Sequence, residues 1–169
     1  MQTREPGLLR ELAGDLEMEL AKLHELQLQV QALQRDIVEA PRYAASFYES
    51  LALKFHNFYT GCERIFSLIS TALNGGVSKS ADWHRRLLSR MTVDREDRKA
   101  VITVETEKQL QEFLGFRHVV RNIYGFELDV EKLDRLLEKY PSTWNLIDRD
   151  IRLFIDWLRE LAVHLEPSM

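Results

Sequence analysis

Arg117, His118, Arg121, Asn122 and Tyr124 stand within one stretch of eight residues, inside the segment 113–129, Phe-Leu-Gly-Phe-Arg-His-Val-Val-Arg-Asn-Ile-Tyr-Gly-Phe-Glu-Leu-Asp. These residue types suit chemistry on an anion. An arginine can hold a phosphate through paired, charge-assisted hydrogen bonds. A histidine, with a pKa of about 6.5, can give or take a proton near neutrality. An amide such as Asn122 can orient a phosphate but cannot act as an acid or base there. On a helix of about 3.6 residues per turn, Arg117, Arg121 and Tyr124 share a face, and His118 and Asn122 form a second i,i+4 pair turned from it by about 100°. Phe113, Val120 and Tyr124 form an apolar row beside them. A buried unpaired charge costs several kcal/mol, so these arginines reach solvent, pair with acids, or line a site meant for an anion.

The elements that must position this stretch are all helical in pattern. Pro6 suits a first turn. From there Leu9, Leu12, Leu16, Leu23, Leu26, Val30, Leu33 and Ile37 keep a 3,4 spacing, with Glu19 the one polar intruder and Leu20 beside it. Such a seam means a long helix packed on other helices, either within its own bundle or in a coiled coil between chains. Pro41 opens a second helix running to about Leu73, rich in apolar residues: Phe47, Leu51, Phe55, Phe58, Cys62, Ile65, Phe66 and Ile69. His24 is expected in solvent, and His56 and Tyr59 at the core boundary. Glu63 sits amid apolar sequence, either at the surface or holding an arginine of 113–129. Asn74-Gly75-Gly76 signals a left-handed helix end. Ser80 or Asp82 is then expected to cap a short helix over 82–91, whose Arg85, Arg86 and Arg90 form a basic edge, solvated or in contact with phosphate or a partner. Residues 92–103 read as loop. Thr103, with Thr106 and Glu107 after it, makes a capping pattern for the helix that carries 113–129 and ends near Gly125. Asp129 caps a short helix to Tyr140, Pro141 and Ser142 break the chain, and Ile147, Ile151, Phe154, Ile155, Leu158, Leu161 and Leu165 mark a last amphipathic helix. No alternating strand pattern is present. The expected fold is all-α, an antiparallel four- to five-helix bundle with a long N-terminal helix.

The totals exclude several classes. A chain of 169 residues, 45% hydrophobic and 30% charged, suits one domain over 1–169, with the long helix at 1–40 and the rest of the core at 41–169. A net charge of −4 argues against indiscriminate coating of nucleic acid, though recognition depends on the local field. Cys62 is the single cysteine, which rules out an internal disulfide and suits a reducing, cytoplasmic setting; a small buried residue is its expected role. The charged N-terminus does not read as a signal peptide, and no apolar run reaches the roughly 18 residues of a spanning helix. There is no phosphate-cradling glycine loop, paired Cys-x-x-Cys, His-Glu-x-x-His or nucleophile elbow. No metal and no cofactor is therefore expected, and any chemistry falls to arginine, histidine, asparagine and tyrosine.

The stretch resembles the active-site segment of HEPN domains, in particular the HepT-like toxins of HEPN/MNT toxin–antitoxin pairs. The family motif is an arginine, a polar residue after it, a histidine four to six residues on, and a tyrosine two further. Arg117, His118 and Tyr124 match in turn, while Asn122 stands in the histidine's place. Weaker likeness extends over Asp82-Trp83-His84, Leu87, Leu88 and Met91, and over Tyr124-Gly125-Phe126, Leu128 and Asp129, so that it covers roughly 45–160. The resemblance implies a metal-independent endoribonuclease, a homodimer with a composite site, and an RNA substrate. Arg117, His118, Asn122 and Tyr124 would form the catalytic site, and Arg121, Arg85 and Arg86 would bind RNA phosphates. It also implies an MNT-type nucleotidyltransferase antitoxin that uses ATP to place AMP on Tyr124. The departure at Asn122 leaves two forms open: His118 takes over the proton transfer, or the protein is a catalytically weakened HEPN-like scaffold binding RNA or a partner.

Overall fold

Three helices of similar length frame the molecule: α1 (Pro6–Glu39), α2 (Ala44–Leu73) and α5 (Val130–His164). The computed structural model describes the backbone of residues 5–122 and 128–166 and the side chains of 5–116 and 128–166. Two further helices, α3 (Trp83–Arg90) and α4 (Val104–Asn122), complete an all-α bundle, with no strand among the described residues.

The seam of α1 packs inside the chain. Leu9, Leu12, Leu16, Leu20, Leu23 and Val30 are buried, while Leu26, Leu33 and Ile37 are partly covered. Leu20 takes the place that Glu19 would spoil, and Glu19, mostly covered at the edge of the seam, pairs with Lys22 and with Arg64 of α2. Cross-links show α1 antiparallel to both long neighbours: Glu17 pairs with Arg159 of α5 at 2.8 Å and Arg10 with Glu166 just past its end at 2.5 Å, while Gln29 meets Lys54 at 2.7 Å on α2. Gly61 permits the close approach of α1, since a Cβ there would stand 2.6 Å from Leu23 Cδ2.

The second helix differs in detail from the sequence expectation. Pro41–Tyr43 forms a separate 3-10 turn, and α2 starts at Ala44. Tyr59, expected at the boundary, is fully buried, and Phe47 is only partly so. The reason is the number of neighbours: α1, α3, α4 and α5 all touch α2, so its buried arc is wider than a single stripe. At its C-terminus, Gly75 and Gly76 take φ of 76° and 114°, and the Gly76 N–H returns to the Ser70 carbonyl at 3.0 Å, as a left-handed helix end requires.

The largest departure is at Pro141. No break occurs there, and α5 runs unbroken for 35 residues with the proline inside it. A mid-helix proline costs about 3 kcal/mol through a lost hydrogen bond and a clash. Here Leu137, Tyr140, Trp144 and Ile147 keep one buried face across the site. The hydroxyls of Ser142 and Thr143 lie 3.0 and 2.9 Å from the Lys139 carbonyl and 3.1 and 2.7 Å from Gln109 Oε1 of α4. Packing across the whole length outweighs the local cost.

Residues 91–103 are not a loose loop. Arg98 is buried at 2% exposure, and its guanidinium donates to Asn74 Oδ1 at 2.9 Å and to the carbonyls of Val93, Lys99 and Arg90 at 3.1, 3.1 and 2.9 Å. Met91, Val101 and Ile102 are buried around it, and Lys99 reaches over Trp157 of α5. The fourth wall of the bundle is thus made of two lengths, this anchored segment with α3 below and α4 above.

Candidate functional site

Helix α4 carries the chemistry-bearing stretch, and its backbone is helical through Asn122. Its start is held by a buried carboxylate. Asp150 Oδ2 accepts the Thr103 N–H at 3.0 Å and the Thr106 hydroxyl at 2.6 Å, while Thr106 N–H donates to Thr103 Oγ1 at 3.2 Å. The expected capping pattern is present, but the residue that completes it comes from α5 rather than from Glu107. Glu107 instead accepts from Ser89 of α3 at 2.8 Å. Arg149 donates from two nitrogens to Asp150 Oδ1, at 2.9 and 2.7 Å, which offsets the cost of burying that charge.

Along its length α4 is fixed by aromatic packing. Phe113 meets Phe55 and Phe58 edge-on with ring centres 5.5 and 5.2 Å apart, and Phe116 meets Phe55 at 6.3 Å. The Lys132 ammonium of α5 stands 5.9 Å from the Phe116 ring. This register makes α4 antiparallel to α2 and brings its last turns beside the first turns of α2 and α5. There Tyr48 donates to Asp134 Oδ1 at 2.5 Å, and that bond to the carboxylate pushes the Tyr48 pKa up to about 12. Asp129 Oδ1 accepts from the Lys132 N–H at 3.1 Å, capping α5 as expected.

Arg117, His118, Arg121 and Asn122 therefore sit on the last turns of a helix fixed at its start and middle, and i,i+4 spacing aligns Arg117 with Arg121 and His118 with Asn122. Their side chains, with those of Val120 and Tyr124 and the end of the stretch near Gly125, lie outside the described residues. Phe113, the described member of the expected apolar row, is buried.

Arg85 and Arg86 lie elsewhere on the bundle. Both are exposed on α3, and Arg86 Nε donates to Asp82 Oδ2 at 3.0 Å. Neither Ser80 nor Asp82 caps α3 through its side chain. The Asp82 carboxyl is held below its ordinary value by hydrogen bonds from Ser80 and Arg86. Helix α3 is seated by a buried pair: Glu63, expected at the surface or against an arginine of 113–129, is buried, and its Oε2 meets Nδ1 of the equally buried His84. With Phe55 level with Phe116, Glu63 stands about 13 Å along the bundle from the Arg117 backbone, and α3 is seated on it there. The pairing leaves one signal in the sequence, a carboxylate at a core register of α2.

Cys62 is buried, and burial pushes its thiol pKa up, which disfavours the thiolate that a nucleophile needs. Among the described residues no cluster of His, Cys, Asp and Glu has the makings of a metal site, and no helix is long and apolar enough to cross a membrane.

The family model described as HepT-like protein matches residues 50–158. No curated protein and no solved structure matches the chain significantly. The matched span takes in about four fifths of α2 and of α5 and the whole of α3 and α4, which includes the motif helix and most of both helices that grip it. On that match the chain belongs to the HepT-like family.

Proposed function

We propose that this protein is the toxin of a HEPN/MNT pair, a metal-independent endoribonuclease whose site is formed by Arg117, His118, Asn122 and Tyr124. HepT-like proteins are generally ribonuclease-type domains. The observation that carries the reading is that the family match spans the helix on which Arg117 and His118 fall at motif positions, with Asn122 in the histidine's place. In this reading Arg117 clamps the scissile phosphate and stabilises the charge that grows on it. His118 moves the proton between the ribose 2′-OH and the leaving oxygen, since an amide at 122 cannot. Arg121 holds an adjoining phosphate, and Arg85 and Arg86 meet RNA farther along the surface. Two copies of the chain face each other across the site, and the setting is cytoplasmic.

Purified protein incubated with single-stranded RNA tests this. Cleavage is expected from the wild type, with a loss of about 100-fold or more in both Arg117→Ala and His118→Ala. Equal cleavage by all three would sink the assignment.

A second reading is favoured by Asn122 itself. With the family histidine replaced, the protein would be a weakened HEPN-like scaffold that binds RNA or a nucleotidyltransferase. RNA binding without cleavage by the wild type, abolished in Arg117→Ala, would select this reading.

A further inference from the structure

The corner between α1 and α2 carries an aromatic ring that the fold leaves at the surface. Pro41–Tyr43 is a single 3-10 turn, closed by the Tyr43 N–H donating to the Ala40 carbonyl at 3.0 Å. Proline fixes the backbone at its start. Tyr43 remains 52% exposed, and the Arg42 guanidinium carbon stands 4.8 Å from its ring centre. A lone exposed aromatic needs no explanation. This one combines a rigid mount, a cation against its ring, and a place at a particular end of the bundle.

That end is the one to which α4 delivers its last turns. Phe116 packs on Phe55; Tyr43 lies twelve residues back from Phe55, and Asn122 six residues on from Phe116. At about 1.5 Å per residue, the Tyr43 backbone stands about 9 Å beyond the Asn122 backbone along the axis, and the spacing of packed helices adds about 10 Å sideways. A short run of single strand spans that gap. The charges around the corner nearly cancel, with Arg35 and Arg42 set against Asp36, Glu39 and Glu49, all exposed. Such a field holds phosphate poorly. A base, which offers an uncharged π-face, is the better match for a ring backed by a guanidinium.

We propose that Tyr43, supported by Arg42, is a stacking site for an unpaired RNA base a few nucleotides from the phosphate held at Arg117. The proposal rests on the ribonuclease-type reading above. Stacking uses the ring and not the hydroxyl, tolerates any base, and requires an unpaired one.

The test is fluorescence anisotropy of the purified protein with a labelled single-stranded oligonucleotide made uncleavable by 2′-O-methylation. Tyr43→Ala is expected to weaken binding by about 5- to 100-fold, with the slope of log affinity against log salt unchanged, because no phosphate contact is lost. Tyr43→Phe is expected to bind as the wild type does. Both variants should melt with the wild type, the site being at the surface. If the wild type binds and Tyr43→Ala binds equally well, the stacking site is overturned alone. A loss in Tyr43→Phe as large as in Tyr43→Ala also overturns it, since the hydroxyl would then matter. An effect of Tyr43→Ala on nucleotidyltransferase binding alone assigns the ring to a protein contact and overturns it too. If the wild type binds no RNA, the ribonuclease-type reading falls with it.

Discussion

Tyr140 sits in the aromatic centre of the molecule, against Phe58, Phe55 and Phe113 with ring centres 4.9, 5.5 and 6.0 Å away. Its hydroxyl is buried without a hydrogen-bond partner among the described residues. Burial raises its pKa, with the neighbouring Cys62 adding to the effect. A buried donor left unpaired carries a desolvation cost, and removing it is neutral or favourable. Tyr140→Phe is therefore expected to keep or raise stability, by up to about 1 kcal/mol, in urea unfolding. A loss beyond about 1 kcal/mol would mean that the hydroxyl has a partner. The ring itself was legible as an inward residue only in part, because Pro141 beside it suggested a helix end. Phe55, Phe58, Cys62 and Phe66 were legible because helical period alone sorts them inward. Tyr59 and Glu63 were not, because their polar atoms suggest a surface that the four neighbours of α2 cover. Arg98 gave no signal at all: its acceptors are mostly backbone carbonyls, and those are invisible in a side-chain pattern.

At the level of elements, the start of α4 depends on a residue more than forty positions away. Asp150 falls between Ile147 and Phe154 on the buried face of α5, and a carboxylate at an apolar register was the trace it left in the sequence. Asp150→Ala would strand the Thr103 N–H, leave the Thr106 hydroxyl only the Thr103 hydroxyl as partner, and release Arg149. A loss of about 2–4 kcal/mol is expected, read from the shift of the urea midpoint. Asp150→Asn should recover part of it through the amide oxygen. A change under about 1 kcal/mol in Asp150→Ala would show that solvent or Glu107 serves the helix start equally well. The unbroken α5 makes the complementary point. Local rules end a helix at proline, but the rule is a preference of about 3 kcal/mol, and a buried face continuing from Leu137 to Ile147 exceeds it.

For the whole molecule, the all-α class followed from periodicity and the antiparallel pairing of α1 with α2 from their short connection, and the packing of α1 on α2 and α5 selects the intramolecular reading of its seam. The division of the fourth wall was not legible, because nothing in a charge-rich segment reveals that one arginine will organise it. The proposed partner can be tested on the intact chain. On the toxin reading, incubation with the nucleotidyltransferase antitoxin and ATP is expected to raise the mass by one AMP, and Tyr124→Phe to prevent it. Phosphate placed beside Arg117 and Arg121 would then occupy the RNA site. A mass gain retained in Tyr124→Phe moves the acceptor to another residue.

The carboxylate of Asp150 has one more consequence, which concerns tolerance to insertion. In a continuous helix such as α5, one added residue rotates everything beyond it by about 100° and turns a buried face outward. Helix α4 is insulated from such slips upstream, because its rotational phase is set where Thr103 and Thr106 meet Asp150. An insertion among residues 92–102 would disturb the Arg98 anchor and the buried Val101 and Ile102, but a slip of register there need not turn the α4 backbone about its axis. The aim of the motif helix is written into α5 and α2, which hold it at its start and along its length.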